Sequence, residues 1–280
     1  VVASPIGGSF GGKDELNVQP YGALLALATG RPVRIHNSRR ESVRAGLKRH
    51  PMTITMKTGA DEQGRLLAHQ VSIVADTGAY ATLGAEVLNF CVEHVTGPYR
   101  YEAVDVDGVS VYTNNGVSGE FRGFGGNQAI FALEGQMDRL AALAGIDPWD
   151  FRKRNLRNSD DAGPLGQPIA RTDGAAQVWE ALAKHPLWAR RNDRGASSVS
   201  EPWLSRGVGA AIVMHGAGLG FGIPDPAGGT IGLAEDGKIE VRFGYEEFGQ
   251  GLLATLELML IEQYGFGADD LRLIIGDTDQ

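Results

Sequence analysis

Cysteine is almost absent from this sequence: one residue, Cys91, in 280. A lone thiol excludes an internal disulfide, a cysteine zinc site and a cysteine-held iron–sulfur cluster within the chain. That usage is compatible with a cytoplasmic protein, and we expect that location. No apolar run approaches the roughly 20 residues that span a bilayer, so no membrane segment is expected. Positive charge is also scarce. Lys and Arg number 26 against 34 Asp and Glu, a net charge of −8, which argues against a nucleic-acid-binding surface. The sequence does not cluster His, Cys, Asp and Glu as a metal held by protein side chains would require. It has neither an opening Met nor a signal peptide. Val1 begins on strand-like residues and Gln280 follows a strand and a turn, so the chain reads as a piece of a longer polypeptide.

Glycine, by contrast, is abundant: 40 residues, about twice average usage, in short clusters without a collagen period. The densest cluster is Gly119-Glu-Phe-Arg-Gly-Phe-Gly-Gly-Asn-Gln128, directly before an amphipathic pattern. Gly123, Gly125 and Gly126 allow the backbone to approach a bound group closely. The following helix presents unpaired N–H groups to the same space, which favours an anion. Arg122 adds a planar fork of donors, and Phe121 and Phe124 offer ring faces for a flat ligand. Taken alone, a Gly-rich turn that merely enters a helix explains this stretch equally well.

Along the chain, Gly7-Gly-Ser-Phe-Gly-Gly-Lys13 feeds a helix with Asn17 as its N-cap, Pro20 in its first turn and Gly30 at its end. Residues 31–115 read mainly as strands. Ser38–Arg49 is expected to be a polar loop. Met52, Ile54 and Met56 alternate, Asp61–Gly64 turns, Leu66–Ala75 runs back, and Asp105–Tyr112 alternates again. Tyr80–Pro98 is read as a loop or broken helix, with His94 a satisfied structural histidine and Cys91 a buried inert thiol. Ile130, Leu133, Met137, Leu140 and Ala141 share a helical face; Asp147-Pro148 starts a short helix, and Val178, Trp179 and Leu182 mark another. Gly207–Met214 is expected to be a strand, leading into a third glycine loop, His215–Gly222. A hairpin follows about Glu235-Asp236-Gly237, then a fourth loop, Glu246–Gly251, a helix to Tyr264 and a strand over 271–275. Composition shifts place one subdomain at 1–158, a connecting segment at 159–206 and a second subdomain at 207–280. The whole is α+β: mixed sheets with packed helices.

Loops rich in backbone donors, without a ligand cluster, fit a large polar cofactor gripped through main-chain N–H groups. A non-catalytic module holding a nucleotide or phosphate fits them too. Neither the dinucleotide fingerprint nor the P-loop spacing is met.

Gly7-Gly-Ser-Phe-Gly-Gly-Lys13, Phe121-Arg-Gly-Phe-Gly-Gly126 and Phe248-Gly-Gln-Gly251 resemble, in order and separation, three cofactor loops of the xanthine dehydrogenase and aldehyde oxidase family of molybdenum hydroxylases. Thr29-Gly-Arg-Pro-Val33, Arg49-His-Pro51 and Arg154-Asn-Leu156 add to the likeness. The resemblance implies a molybdenum held by a pterin dithiolene, in plain or cytosine-dinucleotide form, with 2Fe-2S and FAD on other domains or subunits of a dimeric enzyme. It implies hydroxylation of a carbon in a heteroaromatic or aldehyde substrate. By position, Gly8, Phe10, Gly11, Gly12, Arg122, Gly123, Gly125, Gln250 and Gly251 would bind the cofactor, with backbone groups of Phe10 and Arg122 nearest the metal. Phe124 would stack on the substrate, Phe221 would meet it edge-on, and Asp14 falls where purine-oxidising members carry a glutamate. Phe90 falls where xanthine-oxidising members have an arginine, which disfavours xanthine itself. Glu120 stands where many members have a small residue. The family's catalytic glutamate falls beyond Gln280, so no catalytic base is expected in this chain.

Overall fold

The computed structural model describes residues 6–277 apart from 14, 164–165, 169–171, 192–202, 205–206, 217, 219–223, 225 and 227. In chain order come α1 (Gln19–Thr29), α2 (Arg39–Ala45), β1 (Lys48–Arg49), β2 (Met52–Ala60), β3 (Leu66–Gly78) and α3 (Gly84–His94). There follow β4 (Ala103–Tyr112), β5 (Ser118–Gly119), α4 (Gly126–Ala144), α5 (Pro148–Asn155), α6 (Gly174–Ala183) and α7 (Pro186–Ala189). The last are β6 (Gly229–Leu233), β7 (Ile239–Phe243), α8 (Leu252–Tyr264) and β8 (Leu271–Ile274). The mixture of helices with several separate sheets is the expected α+β class.

Spatial contacts divide the chain into two units, one of Val1–Leu47 with Ala217–Gln280 and one of Lys48–Gly216. This division differs from the chain-order boundaries at 158 and 206. The first loop packs on the fourth: the Ser9 N–H donates to the Phe248 carbonyl at 2.9 Å, which draws the two ends of the sequence into one unit.

The Lys48–Gly216 unit is built on β2-β3-β4. β2 pairs antiparallel with β3, with Met52 opposite Ala75, and β4 runs parallel to β3, with Ala68 opposite Ala103. A parallel pair needs a crossover, and α3 supplies it. In β3, His69, Val71, Ile73 and Ala75 are buried while Gln70, Ser72 and Val74 are exposed, as the two-residue period of a strand dictates. Val71, Ile73 and Ala75 pack with Leu88, Cys91 and Val95 and with Ala129 of α4. A second core gathers Tyr99, Ile130, Leu133, Met137, Trp149 and Phe151. The short parallel pair β1-β5 sets Arg49 beside Gly119, where the central glycine loop begins. In the other unit, β6 and β7 form the expected hairpin and β8 lies parallel to β7.

Four local expectations are corrected. Ser38–Arg49 is not all loop: Ser38 Oγ accepts from the Glu41 N–H and Glu41 Oε2 accepts from the Ser38 N–H, a capping box that starts α2. Tyr80–Pro98 contains an unbroken α3. Asn17 is not the N-cap of α1; Val18 holds that position, and the Asn17 N–H donates to Gln19 Oε1. Residues 207–214 form no strand, because the segment is tied by a carboxylate instead of a ladder. Glu134 Oε2 accepts from the Ile212 N–H at 2.9 Å and from Arg152 Nε at 2.8 Å, while Glu134 Oε1 accepts from the Tyr99 hydroxyl. A buried carboxylate with this many donors is held in one geometry, and the segment with it.

Candidate functional site

In the Lys48–Gly216 unit, the central loop closes as a tight turn at the start of α4. The Gly126 N–H donates to the Gly123 carbonyl at 2.8 Å, with Phe124 at φ 48° and Gly125 at φ 95°. Two successive positive φ values define a type I′ turn. Phe124 is an outlier there, because a bulky residue at positive φ is strained by roughly 1–3 kcal/mol. Gly125 has no alternative: a Cβ would lie 2.3 Å from the Val87 carbonyl oxygen of α3. The N-cap Gly125 provides no side-chain cap to α4, and the amides of Gly123 and Gly125 donate to no described residue. This helix entrance therefore presents open N–H groups.

Beside the turn lies an aromatic cluster. Phe90 meets Phe124 edge-to-face, with centroids 5.9 Å apart and an 89° interplanar angle. Phe90 stacks on His94 at 4.1 Å and lies 5.1 Å from His215. Phe121 turns elsewhere: the Arg49 guanidinium sits over its ring at 4.9 Å. Arg122 is exposed, and its carbonyl accepts from Asn127 Nδ2. Glu120 is buried. His94 is satisfied, as expected: Nδ1–H donates to the Phe90 carbonyl at 2.7 Å and Nε2 accepts the Gly216 N–H at 3.0 Å. Burial lowers its pKa, against the Phe90 hydrogen bond. Cys91 is fully buried, and burial pushes its thiol up to about 12, which makes it inert.

The other unit holds a matching turn. The Gly12 N–H donates to the Ser9 carbonyl at 3.0 Å, with Phe10 at φ 49° and Gly11 at φ 92°. Phe10 meets Phe248 edge-to-face at 6.2 Å. A Cβ on Gly249, at φ 107°, would lie 2.7 Å from the Gly8 Cα. The fourth loop uses its own donors. Glu247 Oε1 accepts from the Gly249 and Gly251 N–H groups, and Oε2 from that of Leu253. The Gln250 side chain is folded back, Nε2 donating to the Glu246 carbonyl and Oε1 accepting from the Phe248 N–H. The second hydrogen of that amide has no acceptor among the described residues.

Of the candidates read from sequence, Phe90, Phe124, Gly123 and Gly125 come together in one unit. Gly8, Phe10, Gly11, Gly12, Gln250 and Gly251 come together in the other. Asp14 and Phe221 lie outside the described residues. Sequence reasoning passed over His215, whose only signal was its place at the head of a glycine loop. Among the described residues no group of three or more His, Cys, Asp and Glu side chains could hold a metal. No described helix is long and apolar enough to cross a membrane.

Strained aromatic–glycine turns with open amides suit a large polar ligand gripped through the main chain. Residues 1–156 and 181–280 each match a molybdopterin cofactor-binding domain, and the chain belongs to that family, within the molybdenum hydroxylases. It is 59% identical over 278 residues to a probable xanthine dehydrogenase subunit of Bacillus subtilis, covering 99% of this chain and 36% of that protein. It is 44% identical over 180 residues to the nicotinate dehydrogenase large molybdopterin subunit of Eubacterium barkeri, covering 64% of this chain and 42% of that one. Among solved structures, the aldehyde oxidoreductase of Desulfovibrio desulfuricans superposes with a TM-score of 0.85 at 26% identity, over 98% of this chain and 30% of that one. The chain thus spans well under half the length of these relatives. A free-standing phosphate module finds no support among them.

Proposed function

We propose that this chain is the cofactor-binding core of a molybdenum hydroxylase large subunit that oxidises a ring carbon of an N-heteroaromatic substrate. The observation that carries this is the uncapped start of α4, where glycine amides and a strained Phe124 stand open beside an aromatic cluster. These residues fit a molybdopterin: main-chain donors suit its polar groups, and no protein carboxylate, thiol or imidazole set among the described residues competes for the metal. The cofactor, when bound, supplies the oxygen-transfer and electron-accepting chemistry. The chain's own part is to hold and orient. In the Lys48–Gly216 unit the amides of Gly123 and Gly125 would donate to the cofactor; in the other unit, taken by itself, the Gly11 amide and the remaining Gln250 amide hydrogen are open donors of the same kind. Phe124 and Phe90 would pack a flat ring and keep water from it. Aromatic neighbours around Phe90, in place of a cation, favour a ring with few carbonyl edges over xanthine. Electrons would leave to 2Fe-2S and FAD groups on partner domains or subunits of a dimeric cytoplasmic enzyme. The names of the relatives, which include nicotinate and xanthine dehydrogenases, support this reading.

The test uses the complete subunit expressed with its cofactor machinery. Molybdenum near one per chain and hydroxylation of a heteroaromatic are expected. A metal-free protein that instead retains phosphate would overturn the proposal.

A further inference from the structure

We infer that His215 determines substrate specificity by accepting a hydrogen bond at Nε2 from a ring N–H of the heterocycle. This rests on the reading of the Phe90–Phe124 cluster as the substrate site. The geometry is a directed chain of hydrogen bonds with a single open end. His94 Nδ1–H donates to the Phe90 carbonyl, which fixes Nε2 of that ring as an acceptor. That Nε2 accepts the Gly216 N–H at 3.0 Å. The carbonyl of the same Gly216 lies 2.7 Å from His215 Nδ1. A carbonyl only accepts, so His215 Nδ1 carries a proton, and in the ring with that one proton Nε2 is a bare acceptor. No described residue donates to it, and His215 is exposed.

The ring is also held in place. His215 lies 5.1 Å from Phe90 and 5.6 Å from His94, both tilted, while Phe90 stacks on His94 at 4.1 Å. Phe90 in turn carries Phe124 at its edge. A flat ligand packed on this cluster therefore meets apolar edges from the phenylalanines and one oriented acceptor from His215. An N-heterocycle with a ring N–H, of the lactam or azole kind, satisfies that acceptor. An aldehyde has no such donor and gains nothing from it. Displacing water from an acceptor without replacing its hydrogen bond is unfavourable, so the site selects by the donor.

The experiment uses the complete molybdenum-loaded enzyme, with hypoxanthine, its N-methyl derivatives and benzaldehyde as probes. His215→Phe keeps the ring contact with Phe90 and removes the acceptor. KM for hypoxanthine is expected to rise about tenfold, the loss of one hydrogen bond, with kcat little changed and benzaldehyde unaffected. In the wild type one N-methylation should raise KM by a similar factor, and in His215→Phe the same methylation should add nothing. His215→Gln, which retains an acceptor oxygen, should recover part of the loss. Equal losses for hypoxanthine and benzaldehyde, or a methylation penalty identical in wild type and variant, would overturn the inference. So would a wild type indifferent to every N-methylation, a result that does not depend on any variant folding. A loaded wild type that turns over none of these compounds would overturn this inference alone, whereas one that hydroxylates no heteroaromatic at all would overturn the proposed function itself.

Discussion

The entrances to α4 and α8 share a glycine pattern and differ in what they leave open. Phe121-Arg-Gly-Phe-Gly125 and Glu247-Phe-Gly-Gln-Gly251 place glycines at the same two positions, and each ends on a left-handed N-cap, Gly125 at φ 95° and Gly251 at φ 82°. Four residues before the cap, one loop has Phe121 and the other Glu247. The carboxylate occupies the amides of Gly249, Gly251 and Leu253, so α8 is closed by its own side chain. Phe121 lies under Arg49 and leaves the amides of Gly123 and Gly125, at the entrance to α4, without an acceptor among the described residues. A glycine loop before a helix is thus an anion site only when no acid of the chain already fills it.

The largest effect expected from breaking this comparison is at the glycines. Gly125→Ala places a Cβ against a carbonyl oxygen of α3 and a non-glycine residue at φ 95°. Neither side yields, since the contact is backbone in a buried helix, and a loss of about 3 kcal/mol or more is expected. Gly249→Ala meets the Gly8 Cα at 2.7 Å, also a backbone contact, but Gly249 itself is exposed and the contact joins two loops instead of a loop and a buried helix. About 1–2 kcal/mol is expected there. Denaturant midpoints of the two variants measure the difference. A Gly249→Ala protein less stable than Gly125→Ala would mean that the fourth loop, not the central one, is the rigid support.

Next in size is the change at Glu247. Burial raises its pKa, but hydrogen bonds from the Gly249, Leu253, Gly251 and Leu252 amides outweigh that and hold it below the ordinary glutamate value. Glu247→Gln keeps the shape and removes the charge, so amide exchange at the first turn of α8 should quicken while the first turn of α4 is unchanged. Protection lost equally at both helices would show that the closure of α8 is not local to this carboxylate.

How much of this was legible beforehand follows from the range of the interactions. The helix over Gly126–Ala144 and the β2–β3 hairpin show in periodicity, because each side chain's face is set by its own segment. The tight turns show in the clustered glycines, because φ above zero leaves few other residues. Glu247 was readable as a helix-start acid, but not as the group that consumes the loop's donors. The open end at His215 was not readable at all. It depends on Gly216 meeting His94, 122 positions earlier, and no local pattern encodes that pairing. The missing strand over 207–214 has the same origin: an apolar run was taken from its sheet by Glu134. Ser38 and Glu41, by contrast, were in plain view at capping-box spacing and were overlooked among charged neighbours.

The smallest effect separates the two units by pH. The Lys48–Gly216 unit buries His50, His69 and His94, and burial lowers the pKa of each. For His50 this is partly opposed by the Gly119 backbone and the Asp76 carboxylate, and for His69 by its bond to the Val95 carbonyl. A histidine whose folded pKa is depressed stays neutral in the native state while the unfolded chain takes up a proton. Stability is therefore full above about pH 6.5 and declines as pH falls from there toward the lowered folded values. The other unit has only His36, which is exposed. Its acid sensitivity lies with carboxylates such as Glu247, whose depressed pKa gives stability that is lost only once pH falls below about 4.3. Between pH 7.5 and 5.5, native-state hydrogen exchange should accelerate in β3 and α3, after correction for intrinsic rates, and hold steady in β7 and α8. His69→Gln should flatten the response of β3 without removing that of α3. Parallel acceleration in both units over that range would show that they open as one.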